Sequence, residues 1–236
     1  MISRECKKCT ESGWCEYDME TDTVYPNDEG RCPERMAKNM GALILAVFAR
    51  DVHLNAVEHG WWEKERSEAE VRALIHSEWS EALEEARAGR PMEWYRCLEL
   101  DEPCTKEDCG NWCKEKCMFN ELDAKPEGIA VELMDGVIRI LDCMARDGTA
   151  DAAEIKRPSR ILNTCREVAQ ASVGEIVDWL HYLTAMDLPY GCHPGYREAI
   201  NVCFEWVRAK GLDPEKIIMA KHRYNKTRPY KHGKRF

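Results

Sequence analysis

An all-α helical bundle is the fold class this sequence predicts, and three observations carry the prediction. Apolar residues recur at spacings of three and four over six separate stretches, as one buried face of a helix requires. Capping and breaking residues bracket those stretches. No sustained polar–apolar alternation of the kind a half-buried strand needs occurs anywhere along the chain.

The elements follow in order. Residues 1–35 lack helical periodicity and place Cys6, Cys9, Cys15 and Cys32 among Gly, Asp, Asn and Pro, which reads as a small metal-stapled knuckle. A first helix is expected over Met36–His59, with Met40, Leu43, Ile44, Val47, Phe48 and Leu54 on its apolar face and Gly60 as its stop. A second begins at a capping box, Ser67 with Glu70, carries Val71, Leu74, Ile75, Trp79 and Leu83, and closes at Gly89 and Pro91. A cysteine-rich polar insertion occupies residues 90–125. Pro126 then pre-sets a third helix, Glu127–Arg146, which Gly148 ends. A fourth is expected over Ser159–Met186, a fifth over Tyr196–Lys210, and a sixth, capped by Asp213 and Pro214, runs into a basic tail at residues 221–236. The expected organisation is thus a knuckle at 1–35 and one helical domain at 36–236, with no internal repeat.

Bulk composition narrows the function classes. Of 236 residues, 44% are hydrophobic, enough for a real core. The most apolar run, Gly41–Ala49, falls short of the roughly 18 residues a membrane span needs, so no membrane partner is expected. Met1–Thr10 carries charges and cysteines where a signal peptide would need an apolar run, so a soluble, cytoplasmic protein is expected. In that compartment the 13 cysteines favour metal over disulfides. Cys6, Cys9, Cys15 and Cys32 supply the four thiolates of a structural Zn²⁺ site, with an iron–sulfur cluster as the minor alternative. Cys104, Cys109, Cys113 and Cys117, with Cys97 nearby, give a weaker second set; Cys143, Cys165, Cys192 and Cys203 read as core. Seven of the 34 Lys and Arg lie in Lys221–Phe236, which holds no acid, so all 43 acids face the other 27 bases. An acidic body with a basic tail suits cations bridging carboxylates to a polyanion; a solvated tail is the alternative.

The chemistry concentrates in paired carboxylates. Glu78 and Glu81 stand at i and i+3 in a sector shared with Leu74, Ile75 and Ala82, and Glu132 and Asp135 do the same beside Val131 and Ile138. Two helices each interrupt a buried stripe with two acids. Four buried charges need protons or cations, since each costs several kcal/mol uncompensated, by order of magnitude. Hard oxygen ligands on facing helices suit Mg²⁺ or Mn²⁺. The alternative is a pair of solvated faces.

These motifs, Glu78-Trp79-Ser80-Glu81 and Glu132-Leu133-Met134-Asp135 in their longer contexts ALIHSEWSEALEEARAG and KPEGIAVELMDGVIRILD, with the ending KHRYNKTRPYKHGKRF, resemble the MazG-like all-α nucleotide pyrophosphohydrolases, phage and prophage-type members in particular. The resemblance implies that Glu78, Glu81, Glu132 and Asp135 hold Mg²⁺ and act in hydrolysis of a nucleoside triphosphate between the α and β phosphorus atoms, releasing the monophosphate and pyrophosphate. It implies phosphate binding by Lys221, Asn225 and Arg228, which fall at i, i+4 and i+7 of the last helix; Tyr224, Lys231 and His232 would extend that grip. Asn55, Trp61 and Trp62 at the first helical junction would meet the base, the alternative being that the two tryptophans staple helices together. Helical hairpins of this kind finish their bundle with a partner subunit, so a homo-oligomer, dimer or tetramer, is expected.

The chain departs from the pattern in its insertion and in two extra helices between Ala150 and Lys210. Those carry a second E-x-x-D, Glu175 and Asp178, read as surface or oligomer contacts. The rival reading from another class is a silent protein whose knuckle and tail bind nucleic acid or a partner. Nucleic acid is disfavoured, because a short basic segment without an accompanying fold motif is weak evidence for it.

Overall fold

The computed structural model describes residues 33–96, 125–150, 165–187 and 193–233, with the backbone alone at 33–44, 165–166 and 232–233. The chain divides into two compact units, Met1–Gly41 and Ala42–Phe236. The fold within the described residues is predominantly helical, as expected. Both cysteine-rich sets, residues 6–32 and 97–117, lie outside the described residues, so the zinc expectations rest on sequence.

Helix α1 (Pro33–Glu58) buries Leu45, Ala46, Ala49, Val52 and Ala56. The buried face is the expected one only in part: Phe48 packs against the core, and the side chains of Met40, Leu43 and Ile44 lie outside the described residues. Val47 and Leu54, placed on the apolar stripe by their bulk, are 60% and 59% exposed, and small alanines take the inner positions instead. Helix α2 (Glu68–Arg87) starts at the expected capping box: Ser67 Oγ accepts from the Glu70 amide at 3.2 Å, and Glu70 accepts from the Ser67 amide at 2.8 Å.

The third helix starts later than its proline suggests. Pro126–Glu127 forms strand β2, antiparallel to β1 (Trp94–Tyr95), with Trp94 opposite Glu127 and Tyr95 opposite Pro126. Gly128 then turns the chain at φ 114°, where a Cβ would meet the Pro91 and Met92 carbonyl oxygens at 2.8 Å, and α3 runs over Ile129–Arg146. The insertion therefore leaves and returns at a two-residue ladder. Buried Glu127 takes its charge partners there, Lys125 at 2.5 Å and Arg96 at 2.8 Å.

Helix α3 is buried over nearly its whole length and packs against α2 on one side. The expected single helix over 159–186 is two: α4 (Cys165–Gln170) and α5 (Val173–Ala185). Ser172 opens a second capping box with Glu175, at 2.7 Å from its amide, and Trp206 Nε1 donates to the freed Ala171 carbonyl at 2.9 Å. Apolar periodicity continues across this break, which is why it reads as one helix. Helix α6 (Pro194–Ala209) packs on α5 and α3, and α7 (Pro214–Thr227), capped by Asp213 as expected, returns to α3. A 3₁₀ turn, Tyr230–Gly233, follows. Among the described residues no helix is long and apolar enough to cross a membrane.

Candidate active site

The site sits where α2, α3 and α7 converge, and the reason is visible in one contact. Gly136 of α3 lies under Trp79 of α2, where an added Cβ would stand 2.2 Å from the indole. That close approach brings the residues flanking Trp79 and Gly136 together. Glu78, Glu81 and Glu132 each offer a carboxylate oxygen within 4.8 Å of the others. Glu78 and Glu132 are buried, while Glu81 is exposed and opens the cluster to solvent.

Asp135, expected as the fourth ligand, is not one of these three mutually close groups. One turn further along α3, it is drawn toward α7: Asn225 Nδ2 donates to it at 3.1 Å, and Lys221 Nζ stands 3.4 Å away. Lys221 also reaches Glu132, at 3.3 Å. Glu78 is held by Arg139, which donates through Nε.

Two cations thus serve four acids, and the acids respond differently. Burial pushes Glu78 upward against Arg139. Burial also lifts Glu132, to about 8, because Lys221 is shared and Asp135 and Glu78 repel it. Burial would raise Asp135 too, but Lys221, Arg139 and the Asn225 hydrogen bond outweigh it and hold the carboxyl low. Lys221 in turn is kept charged by Asp135 and Glu132 despite its burial. Glu78 and Glu132 are therefore the under-compensated members. A divalent cation fits the donor set: the oxygens are hard and close together, and with all four acids ionised the cluster would carry more negative charge than its two cations offset.

Beside this cluster opens a cleft enclosing about 710 Å³, its open mouth included. Asp135 and Arg139 belong to both. Asn55 from α1, Trp61 and Trp62 from the α1–α2 junction, and Asn225 and Arg228 from α7 line it, so five of the expected substrate-binding residues meet in one space. Trp62 also acts as a staple, donating from Nε1 to Asp142 of α3 at 3.0 Å beneath the Arg146 guanidinium. Arg66 covers the Trp61 ring.

Sequence reasoning missed Arg139, Asp142 and His222. Arg139 and Asp142 lie four and seven residues past Asp135 on the same side of α3, a signal that was present but eclipsed by the acidic pairs. His222 donates from Nε2 to Asp51 at 2.9 Å, and burial lowers its pKa despite that partner, which leaves Nδ1 as an acceptor. Among the described residues, His222 Nδ1 and Asn225 Oδ1 are buried without a hydrogen-bond partner. Asn225 Nδ2 is fixed on Asp135, so both orphans accept, and both belong to residues lining the cleft.

Two other described residues of the tail do not line the cleft. Lys231, expected to bind phosphate, pairs with Glu63 at 2.9 Å, and its amide donates to the His59 carbonyl at 3.0 Å. A nearby carboxylate claims the ammonium once the 3₁₀ turn packs Tyr230 over Gly60. Tyr224 is half-buried and not among the cleft-lining residues. The His232 side chain and Lys234 lie outside the described residues. Glu175 is a helix cap and Asp178 is exposed, in keeping with their reading as surface residues rather than ligands.

Compared with protein-family models, curated proteins and solved structures, the chain matches none of them.

Proposed function

We propose that the chain is a Mg²⁺- or Mn²⁺-dependent nucleoside triphosphate pyrophosphohydrolase of the MazG-like class. The observation that carries this reading is the meeting of three carboxylate oxygens within 4.8 Å beside a cleft lined by cationic and aromatic side chains. Glu78, Glu81 and Glu132 would hold the metal, with Asp135 positioned at the border between cluster and cleft. The metal, when bound, supplies charge neutralisation on the phosphates and acidifies water.

The chain's own residues account for the remainder. Arg228, the extended C-cap of α7, brings positive charge into the cleft toward a triphosphate chain, and buried Lys221 keeps the carboxylates behind it partly neutralised. Asn225 keeps Asp135 oriented. Trp61 and Trp62 offer apolar faces to a base, and Trp62 is held rigidly by Asp142, which limits the entropy lost on binding. Glu132, raised to about 8, would give up its proton as the metal binds, which makes metal affinity rise with pH.

The test is to incubate purified full-length chain with each NTP and dNTP plus Mg²⁺ and resolve the products. Monophosphate and pyrophosphate are expected; orthophosphate release, or no turnover of any nucleotide, contradicts the reading. Glu132→Gln and Glu81→Gln should each lower turnover by about 100-fold or more, the scale of losing one electrostatic contribution to the transition state, while retaining the helical circular dichroism.

A further inference from the structure

The far end of α3 carries a second constellation that the hydrolase reading does not use. Cys143 and Asp147, four residues apart, face His193, which opens α6. Cys143 Sγ lies 3.7 Å from Asp147 Oδ2, His193 Nε2 lies 3.0 Å from the same oxygen, and one ligand atom from each of the three residues falls within 4.8 Å of the others. Cys143 and His193 are buried; Asp147 reaches the surface.

We propose that Cys143, Asp147 and His193 form a thiolate-containing site for a zinc-class dication, separate from the carboxylate cluster. A tetrahedral zinc ion at about 2.0–2.3 Å from S, N and O donors separates those donors by about 3.3–3.6 Å. The two spacings to Asp147 Oδ2, 3.7 and 3.0 Å, differ from that by a few tenths of an ångström, and the third, Cys143 to His193, lies within 4.8 Å.

The surroundings are those of a metal-binding histidine. The other ring nitrogen, Nδ1, donates to Asp187 Oδ2 at 2.7 Å, the carboxylate–histidine arrangement that fixes the tautomer and aims Nε2 at a metal. Asp187 is itself immobilised, because its Oδ1 accepts from the Gly195 and Tyr196 amides at 3.0 and 3.2 Å. The Tyr196 ring stacks on the imidazole with centroids 5.1 Å apart. His193 holds a left-handed backbone, φ 37°, rare for a residue with a side chain, at the point where its ring enters the cluster. Arg146, anchored by Glu68, donates to both Cys143 Sγ and Asp147; burial pushes the Cys143 thiol up against that pull, so the bound dication itself would release the thiol proton. A thiolate and Asp147 together supply the two negative charges a dication needs, while Arg146 pairs with Glu68 beside them. Such a site fastens the end of α3 to the start of α6.

The test uses the full-length chain, its other cysteines intact. Zinc equivalents per chain are measured by mass spectrometry of the metal after dialysis, for wild type, Cys143→Ser and His193→Asn; asparagine tolerates the left-handed backbone. Each variant should lose one equivalent and keep its helical circular dichroism, and cobalt substitution should show a thiolate charge-transfer band weakened in Cys143→Ser. Asp187→Asn should keep the stoichiometry at saturation with affinity lowered about 10- to 100-fold. Equal zinc content in wild type and both variants overturns the proposal, and the cluster is then an imidazolium bridging two carboxylates. Diffraction from wild-type crystals soaked in zinc and recorded at the zinc edge decides independently of any variant: an anomalous peak among the three atoms supports the site, and a flat map overturns it. Neither result depends on nucleotide turnover.

Discussion

Each buried acid of the candidate site takes its character from the cation that reaches it. Glu78 has Arg139, Lys221 is shared by Glu132 and Asp135 at 3.3 and 3.4 Å, and only Asp135 has Asn225 as well. The same logic operates outside the site, where α7 lands on α1. Asp51 receives Lys226 Nζ at 2.7 Å and His222 Nε2 at 2.9 Å. Burial would raise its carboxyl, but those two partners outweigh burial and hold it below 3.8. A pKa depressed on folding contributes stability above the ordinary value and loses it as pH falls through the folded value. Asp51→Asn should therefore lower stability at pH 7, by roughly 0.2–1 kcal/mol because the pair is half-exposed, and should flatten the acid limb below about pH 4. Urea midpoints at pH 7 and pH 3 check this; the same loss at both would refute it.

At the scale of elements, the spacing between α2 and α3 decides whether the carboxylates meet. Trp79 is fully buried, seated on Gly136, and tied to α5 through Nε1 to Thr184 Oγ1 at 3.0 Å. The indole cannot swing aside for an added methyl. Gly136→Ala should destabilise the chain by about 1–3 kcal/mol, and by separating Glu78 from Glu132 it should also depress turnover. Thermal denaturation and the rate under saturating nucleotide check both; an unchanged Tm would show that the helices tolerate the wider spacing. Local signals were legible at this scale where they were complete. Ser67 with Glu70 announced α2, and Asp213 with Pro214 announced α7. Ser172 with Glu175 is the same capping box, but the apolar stripe running past it concealed the break between α4 and α5. Gly128 concealed the start of α3 in another way, since only its approach to the Met92 carbonyl shows why the chain turns there.

In the whole molecule, an acidic body is closed by a basic C-terminal helix. Lys221 and Asn225 meet Glu132 and Asp135 from about 90 residues away in sequence. If the carboxylate cluster binds a divalent ion only when folded, added Mg²⁺ stabilises the native chain by mass action, about 2.7 kcal/mol at a concentration 100 times its Kd. For a chain of this size that is roughly a 5–10 °C rise in Tm. Glu132→Gln should abolish the rise, and a wild-type Tm indifferent to Mg²⁺ and Mn²⁺ would count against a metal at this site.

The amino-acid sequence by itself determined the helical class, most helix boundaries and the two carboxylate pairs, because these depend on residues three and four apart and every turn of helix displays them. It also brought forward Asn55, Trp61, Trp62, Asn225 and Arg228, which meet in the cleft. Only the tertiary structure decided that Arg139 pairs with Glu78, that Asp142 holds Trp62, that Lys231 goes to Glu63, and that Cys143 faces His193. Those pairings join positions on different elements, and which charge reaches which depends on helix spacing and crossing that no local period encodes.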